Sequence, residues 1–127
     1  MKGKYRSDLS KAKNLGAASS GSHHWWHQRF TALIISIMIF WVISFFGEIL
    51  KSNVTMAISH LKKPFNLAML LVLFLTVMYH AVLGMQVVIE DYMSCRTYRL
   101  VLILAIQIFA IITAASFALA TFYVMVL

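Results

Sequence analysis

Charged residues divide this chain into blocks. Asp, Glu, Lys and Arg are absent from Phe30 to Gly47, from Pro64 to Ile89 and from Leu100 to Leu127, stretches of 18, 26 and 28 residues. A soluble amphipathic helix turns a charged stripe to water, and none of these stretches has one. A bilayer core is about 30 Å thick, which takes about 20 apolar residues at a rise of about 1.5 Å each. The second and third stretches exceed that length. The first reaches it once Glu48, Ile49 and Leu50 are placed in the far interface. The pattern predicts an all-α integral membrane protein, one domain over residues 1–127, with three transmembrane helices at 26–50, 64–89 and 99–127.

The polar blocks supply the connections. Residues 1–25 form an inner arm, basic and rich in Gly, Ala and Ser over its first 22 positions, which suits a flexible or surface-lying segment. That arm has no apolar run of the kind found in a cleaved secretory signal. Trp25 and Trp26 are placed as interfacial residues, where an apolar ring with one N–H is comfortable. The connection from Lys51 to Lys63 has Val54, Ile58 and Leu61 on one side, as in a short interfacial turn. Pro64 suits the first turn of the second helix. The third helix carries Ala110, Ala114 and Ala118 at spacing four, a small-residue seam for close packing.

Composition agrees, with 61% hydrophobic residues against roughly 45–50% in soluble domains. The net charge of +7 matters more by its placement. Lys2, Lys4, Arg6, Lys11, Lys13, Arg29, Arg96 and Arg99 fall on one side of a three-span chain; Lys51, Lys62 and Lys63 fall on the other. The positive-inside rule then puts the N-terminus inside and the C-terminus outside. Beside three spans, a basic tail is weak support for nucleic-acid binding, and no nucleic-acid partner is expected. The single cysteine, Cys95, on the inner loop, leaves no internal disulfide.

Candidate chemistry concentrates on the second helix. His80 is the one histidine within the three charge-free stretches, and an ionisable residue at membrane depth is a functional candidate. At about 100° per residue, Gly84 lies about 40° from His80 and Asp91 about 20° from it. A glycine one turn from an imidazole leaves room for a flat macrocycle, and imidazole is a common axial ligand of haem iron. Three readings stay open: haem ligation, proton relay, and a histidine bonded to a neighbouring helix with Gly84 there for packing. Arg29, Asp91 and Tyr92 fall on the inner side. Arg29 suits a haem propionate or a snorkelling anchor. Tyr92 can donate to a carbonyl, with Asp91 orienting it or relaying protons; equally, Asp91 ends a helix and Tyr92 joins an aromatic belt.

The segment His80-Ala-Val-Leu-Gly84-Met-Gln-Val-Val-Ile-Glu-Asp91-Tyr92 resembles the second-helix signature of the hydrophobic membrane-anchor subunit (D subunit) of succinate dehydrogenase, respiratory complex II. The segment His23-His24-Trp25-Trp26-His27-Gln28-Arg29-Phe30-Thr31-Ala32 is similar to that subunit's approach to its first helix, above all in alphaproteobacterial versions. The resemblance covers nearly the whole chain and implies specific roles. His80 is one axial ligand of a haem b shared with a cytochrome b subunit, with Gly84 against the haem. Arg29 contacts a propionate, and so does His23, with His24 and His27 as alternatives. Tyr92 bonds a ubiquinone carbonyl, with Asp91 in support. The second haem ligand comes from the other chain.

The implied partners are the cytochrome b subunit, an iron–sulfur subunit and a flavoprotein; FAD and the iron–sulfur clusters sit in those partners. The assembly carries electrons from succinate in the tricarboxylic acid cycle to the quinone of the respiratory chain. This chain alone catalyses nothing; it serves as a subunit of that enzyme. The implied home is a bacterial cytoplasmic membrane ahead of a mitochondrial inner membrane. Two alternatives remain at this stage. One is the anchor of a fumarate reductase. The other is a small proton-conducting or transporter subunit in which His80 and Asp91 pass protons.

Overall fold

The computed structural model describes residues 17–126, with side chains from residue 22. Four helices follow one another: α1 (Ala17–Lys51), α2 (Val54–Leu61), α3 (Pro64–Tyr92) and α4 (Arg96–Val126). Among the described residues there is no strand. α1, α3 and α4 contain spans long and apolar enough to cross a membrane, Ser22–Lys51, Pro64–Tyr92 and Arg96–Val126.

Each long helix runs past the edges of its apolar stretch. α1 takes in Ala17 to Trp25 from the expected inner arm, whose residues 1–16 lie outside the described residues. α3 continues through Glu90, Asp91 and Tyr92, and α4 starts at Arg96. Backbone hydrogen bonding has no reason to stop where lipid gives way to water, and no proline stands at these edges to stop it. At about 1.5 Å per residue, α1, α3 and α4 are all longer than the roughly 30 Å core.

Local chemistry sets the turns. Asn53 caps α2, its side chain accepting the Met56 N–H at 2.9 Å. Pro64 opens α3 where its missing N–H costs nothing. The Asn66 amide donates to the His60 carbonyl at 2.7 Å, and His60 Nδ1 lies 3.0 Å from Glu48 Oε2. These contacts tie the end of α1, the connection and the start of α3 together on one side. α2 buries none of its residues, so Val54, Met56 and Ile58 are left for an interface.

α3 is central. α1 and α4 both pack on it, and among the described residues they make no close contact with each other. The arrangement is a row of three helices, not a closed bundle. Phe74 of α3 stacks on Phe117 of α4 at 4.0 Å between ring centres. The expected alanine seam lies along this contact: Ala110 and Ala114 line a groove with Leu75, Met78 and Val82, and Ala118 lines another with Leu67 and Leu71. The buried apolar residues are Met38 and Phe45 on α1, and Leu67, Leu83 and Ile89 on α3. α4 buries none of its residues. Phe40, Phe109 and Phe122 point outward, as lipid or a membrane partner requires.

Candidate functional site: the α1–α3 seam

The antiparallel pairing of α1 with α3 sets two polar residues of α1, Gln28 and Thr31, against His80. At about 100° per residue, His24, Gln28 and Thr31 fall within about 60° of one another on the face of α1 turned to α3. Thr31 is buried, only 6% exposed. Its Oγ1 lies 2.8 Å from His80 Nδ1, 2.9 Å from the His27 carbonyl and 3.1 Å from the Gln28 carbonyl. The Gln28 amide nitrogen lies 3.3 Å from the other ring nitrogen, His80 Nε2. A Cβ added to Gly84 would stand 3.5 Å from that same amide nitrogen. His80 is thus half-buried, with both ring nitrogens engaged from α1. A hydrogen bond between membrane helices contributes about 0.6 to 2 kcal/mol, so these contacts also fix the register of α1 on α3.

The seam has two sides. On one, Tyr79 bonds His27 Nδ1 at 3.1 Å, and the rings of His27 and His23 stack at 4.7 Å. On the other lie Gln28, Gly84 and His80 Nε2; the next residue around α1 is Arg29. Arg29 is exposed, its guanidinium 5.4 Å from the Trp25 ring centre, a cation–π contact. Two buried polar atoms have no partner among the described residues: Gln28 Oε1 and His24 Nε2. Both belong to residues on the α3-facing surface of α1. An unpaired polar atom in a membrane is costly, so the seam suits a ligand that brings its own polar groups.

The expected site residues therefore fall at two levels. His80, Gly84, His27 and Arg29 lie near one depth, with His23 and His24 about a turn closer to the start of α1. Asp91 and Tyr92 lie about 17 Å further along α3, counted at about 1.5 Å per residue from His80. Measured from Pro64 along an untilted helix, a core of about 30 Å ends near Gly84. On that measure His80 lies within the core toward the C-terminal end of α3, and Asp91 and Tyr92 stand beyond it. Both are exposed, Tyr92 by 82%. The sequence places Arg29 on the same side as Asp91 and Tyr92, and the resemblance puts it at a haem propionate; in the structure it directly follows Gln28, the residue that touches His80 Nε2.

Gln28 and Thr31 are the residues that sequence reading missed. The available signal was their spacing: two polar side chains three residues apart, with His24 a turn before, on one face of an otherwise apolar helix. His27 also meets α3, where it bonds Tyr79, the neighbour of His80. Among the described residues, no group of three or more His, Cys, Asp or Glu side chains gathers to hold a metal ion.

A three-span row with a polar seam around one α3 histidine defines a membrane anchor with an open flank. The sequence model of the family described as Succinate dehydrogenase/Fumarate reductase transmembrane subunit matches residues 3–123, and the chain belongs to that family. It is 48% identical over 119 residues to the succinate dehydrogenase hydrophobic membrane anchor subunit of Rickettsia bellii (strain RML369-C), covering 94% of this chain and 95% of the relative. The protein of the same name in Rickettsia prowazekii (strain Madrid E) is 41% identical over the same shares of each chain. The succinate dehydrogenase membrane anchor subunit of Reclinomonas americana is 33% identical, over 72% of this chain and 79% of that one. No solved structure matches the chain. The chain is therefore a multi-pass membrane subunit of an oxidoreductase complex.

Proposed function

We propose that this chain anchors a succinate:ubiquinone oxidoreductase in a bacterial cytoplasmic membrane, holds a haem b jointly with a cytochrome b subunit through His80, and contributes Tyr92 and Asp91 to the quinone site. The observation that carries the haem part is the state of the His80 ring. Gln28 presents an N–H to Nε2, and Thr31 oxygen faces Nδ1. Nε2 then carries the free lone pair, which an axial ligand needs. The Gln28 contact and coordination are alternative uses of that lone pair, and the long Gln28 side chain has the rotamers to turn aside. Gly84 and the orphaned Gln28 Oε1 border the same place. Bound there, a haem b supplies a one-electron centre between the membrane subunits.

Arg29 follows Gln28 around α1 and pairs with a propionate on that flank. His23 stacks on His27 at the opposite side of the seam, so His24 is the better-placed imidazole for the second propionate contact. At the inner level Tyr92 donates a hydrogen bond to a quinone carbonyl, and Asp91 supports it. Oxidation of succinate to fumarate on the flavoprotein releases two electrons and two protons. The iron–sulfur subunit passes the electrons on, and the quinone takes up two electrons and two protons. The relatives' names favour succinate oxidation over fumarate reduction.

Affinity capture of this chain in mild detergent is expected to bring down a flavin-containing subunit, an iron–sulfur subunit and a cytochrome b subunit with succinate:quinone activity. Recovery of the chain without flavin would favour the proton-conducting reading instead.

The proposed orientation, N-terminus inside, has a built-in reporter. Cys95 is exposed, and the backbone N–H groups of Tyr98 and Thr97 at the start of α4 hold its thiol below the ordinary range. A membrane-impermeant maleimide is expected to label Cys95 in inside-out vesicles and not in intact cells. Labelling of intact cells would invert the topology.

A further inference from the structure

We propose that Thr31 is the positioning residue of His80: its hydroxyl oxygen accepts the Nδ1–H, holds the tautomer that leaves Nε2 for iron, and strengthens that nitrogen as a donor. This rests on the haem reading above and assigns a role to a residue on α1.

A threonine hydroxyl has one proton and two lone pairs. Thr31 Oγ1 lies within hydrogen-bond distance of three groups: the carbonyls of His27 and Gln28, and His80 Nδ1. The carbonyls can only accept. Were the proton sent to Nδ1, two carbonyl oxygens would face the lone pairs of Oγ1 at 2.9 and 3.1 Å with nothing between them. The proton belongs to a carbonyl, the usual back-bonding of threonine in a helix. Oγ1 then presents a lone pair to His80, and Nδ1 carries the hydrogen. The Gln28 amide independently requires the same tautomer, since it offers N–H to Nε2.

Three features make this a fixed arrangement. Thr31 is nearly fully buried. Its side chain is branched and held by its own helix, so χ1 has little freedom. The contact, at 2.8 Å, is the shorter of the two that His80 receives from α1. A hydrogen bond from the far nitrogen of a ligating imidazole moves the ring toward imidazolate and favours the oxidised metal. Thr31 therefore lowers the haem midpoint potential, and its loss raises it.

The test uses the whole complex carrying Thr31→Val, which keeps the shape and removes the hydroxyl, with Thr31→Ser, which restores it. The readouts are the haem midpoint potential and the g-values of the ferric haem. The expected result is a higher midpoint and shifted g-values in Thr31→Val, with both returned toward wild type in Thr31→Ser. Should the valine variant fail to assemble, Thr31→Ala is expected to show the same upward shift. Wild-type potential and g-values in whichever of Thr31→Val or Thr31→Ala assembles would overturn the proposal, as would Thr31→Ser that tracks with it. A parallel His80→Ala complex separates the two levels. If His80→Ala keeps the wild-type ligand field, the haem reading itself falls. If His80→Ala loses that field while removal of the Thr31 hydroxyl is silent, only the role of Thr31 falls.

Discussion

His80→Ala is expected to remove the low-spin, six-coordinate haem spectrum from the complex, with most of the haem lost on purification. The substitution deletes the one α3 imidazole that meets α1, together with both of its inter-helix contacts. Nothing nearby replaces it. His27 turns to Tyr79, and His24 lies a turn of helix nearer the start of α1 than Gln28. A single residual ligand from the partner would leave the iron five-coordinate. The check is haem content per flavin, with the spectrum recorded oxidised and reduced. Succinate oxidation with an artificial acceptor should persist, because that chemistry lies in the flavoprotein. An unchanged haem spectrum in His80→Ala would remove His80 from the ligand set.

Tyr92→Phe is the second large effect, and it should separate two activities. Tyr92 ends α3 and is largely exposed, about 18 Å along the helix from His80. It contributes a hydroxyl and little packing, so removing the oxygen leaves the fold in place. A donor aimed at a carbonyl that gains negative charge is worth on the order of 100-fold in rate. Succinate:quinone activity should therefore fall by roughly 10- to 100-fold, while artificial-acceptor activity and the haem spectrum stay as they are. Equal losses in both assays would point to assembly and away from the quinone. The distance between the two levels makes the variants complementary: His80→Ala acts on the haem, and Tyr92→Phe on the quinone.

The three spans were legible because charge is expensive in lipid, and its absence over such lengths has few other meanings. Pro64 marked the start of α3, and Val54, Ile58 and Leu61 marked α2, each for a local reason. His80 stood out because it interrupts an apolar run. What sequence could not supply was the register of one helix on another. That register depends on the Glu48–His60 and Asn66–His60 contacts at one end, and on how far α1 continues before Trp26. Helical periodicity aligned His80 with Gly84 and Asp91 on α3, yet it could not say which α1 residues face them. Gln28 and Thr31 therefore went unseen. The relation between His23 and His27 had the same difficulty. Their spacing of four puts them on one face, but only the position of Tyr79 shows which side of the seam that face meets.

The family also explains the open flank. Among the described residues, no third helix covers the Gln28–Gly84 side of the seam, and large apolar residues along α1 and α4 point outward. A membrane partner carrying the second imidazole would cover such a flank and complete the ligand set.

The central claim is that His80 ligates a haem shared between two membrane chains. It is tested most directly by low-temperature electron paramagnetic resonance of the oxidised complex captured through this chain, with haem and flavin counted in the same sample. The account predicts a low-spin ferric signal with two imidazole ligands, at one haem per flavin, lost in the His80→Ala complex. A fully assembled complex with succinate:quinone activity and no such signal, or the same signal in wild type and His80→Ala, would contradict it.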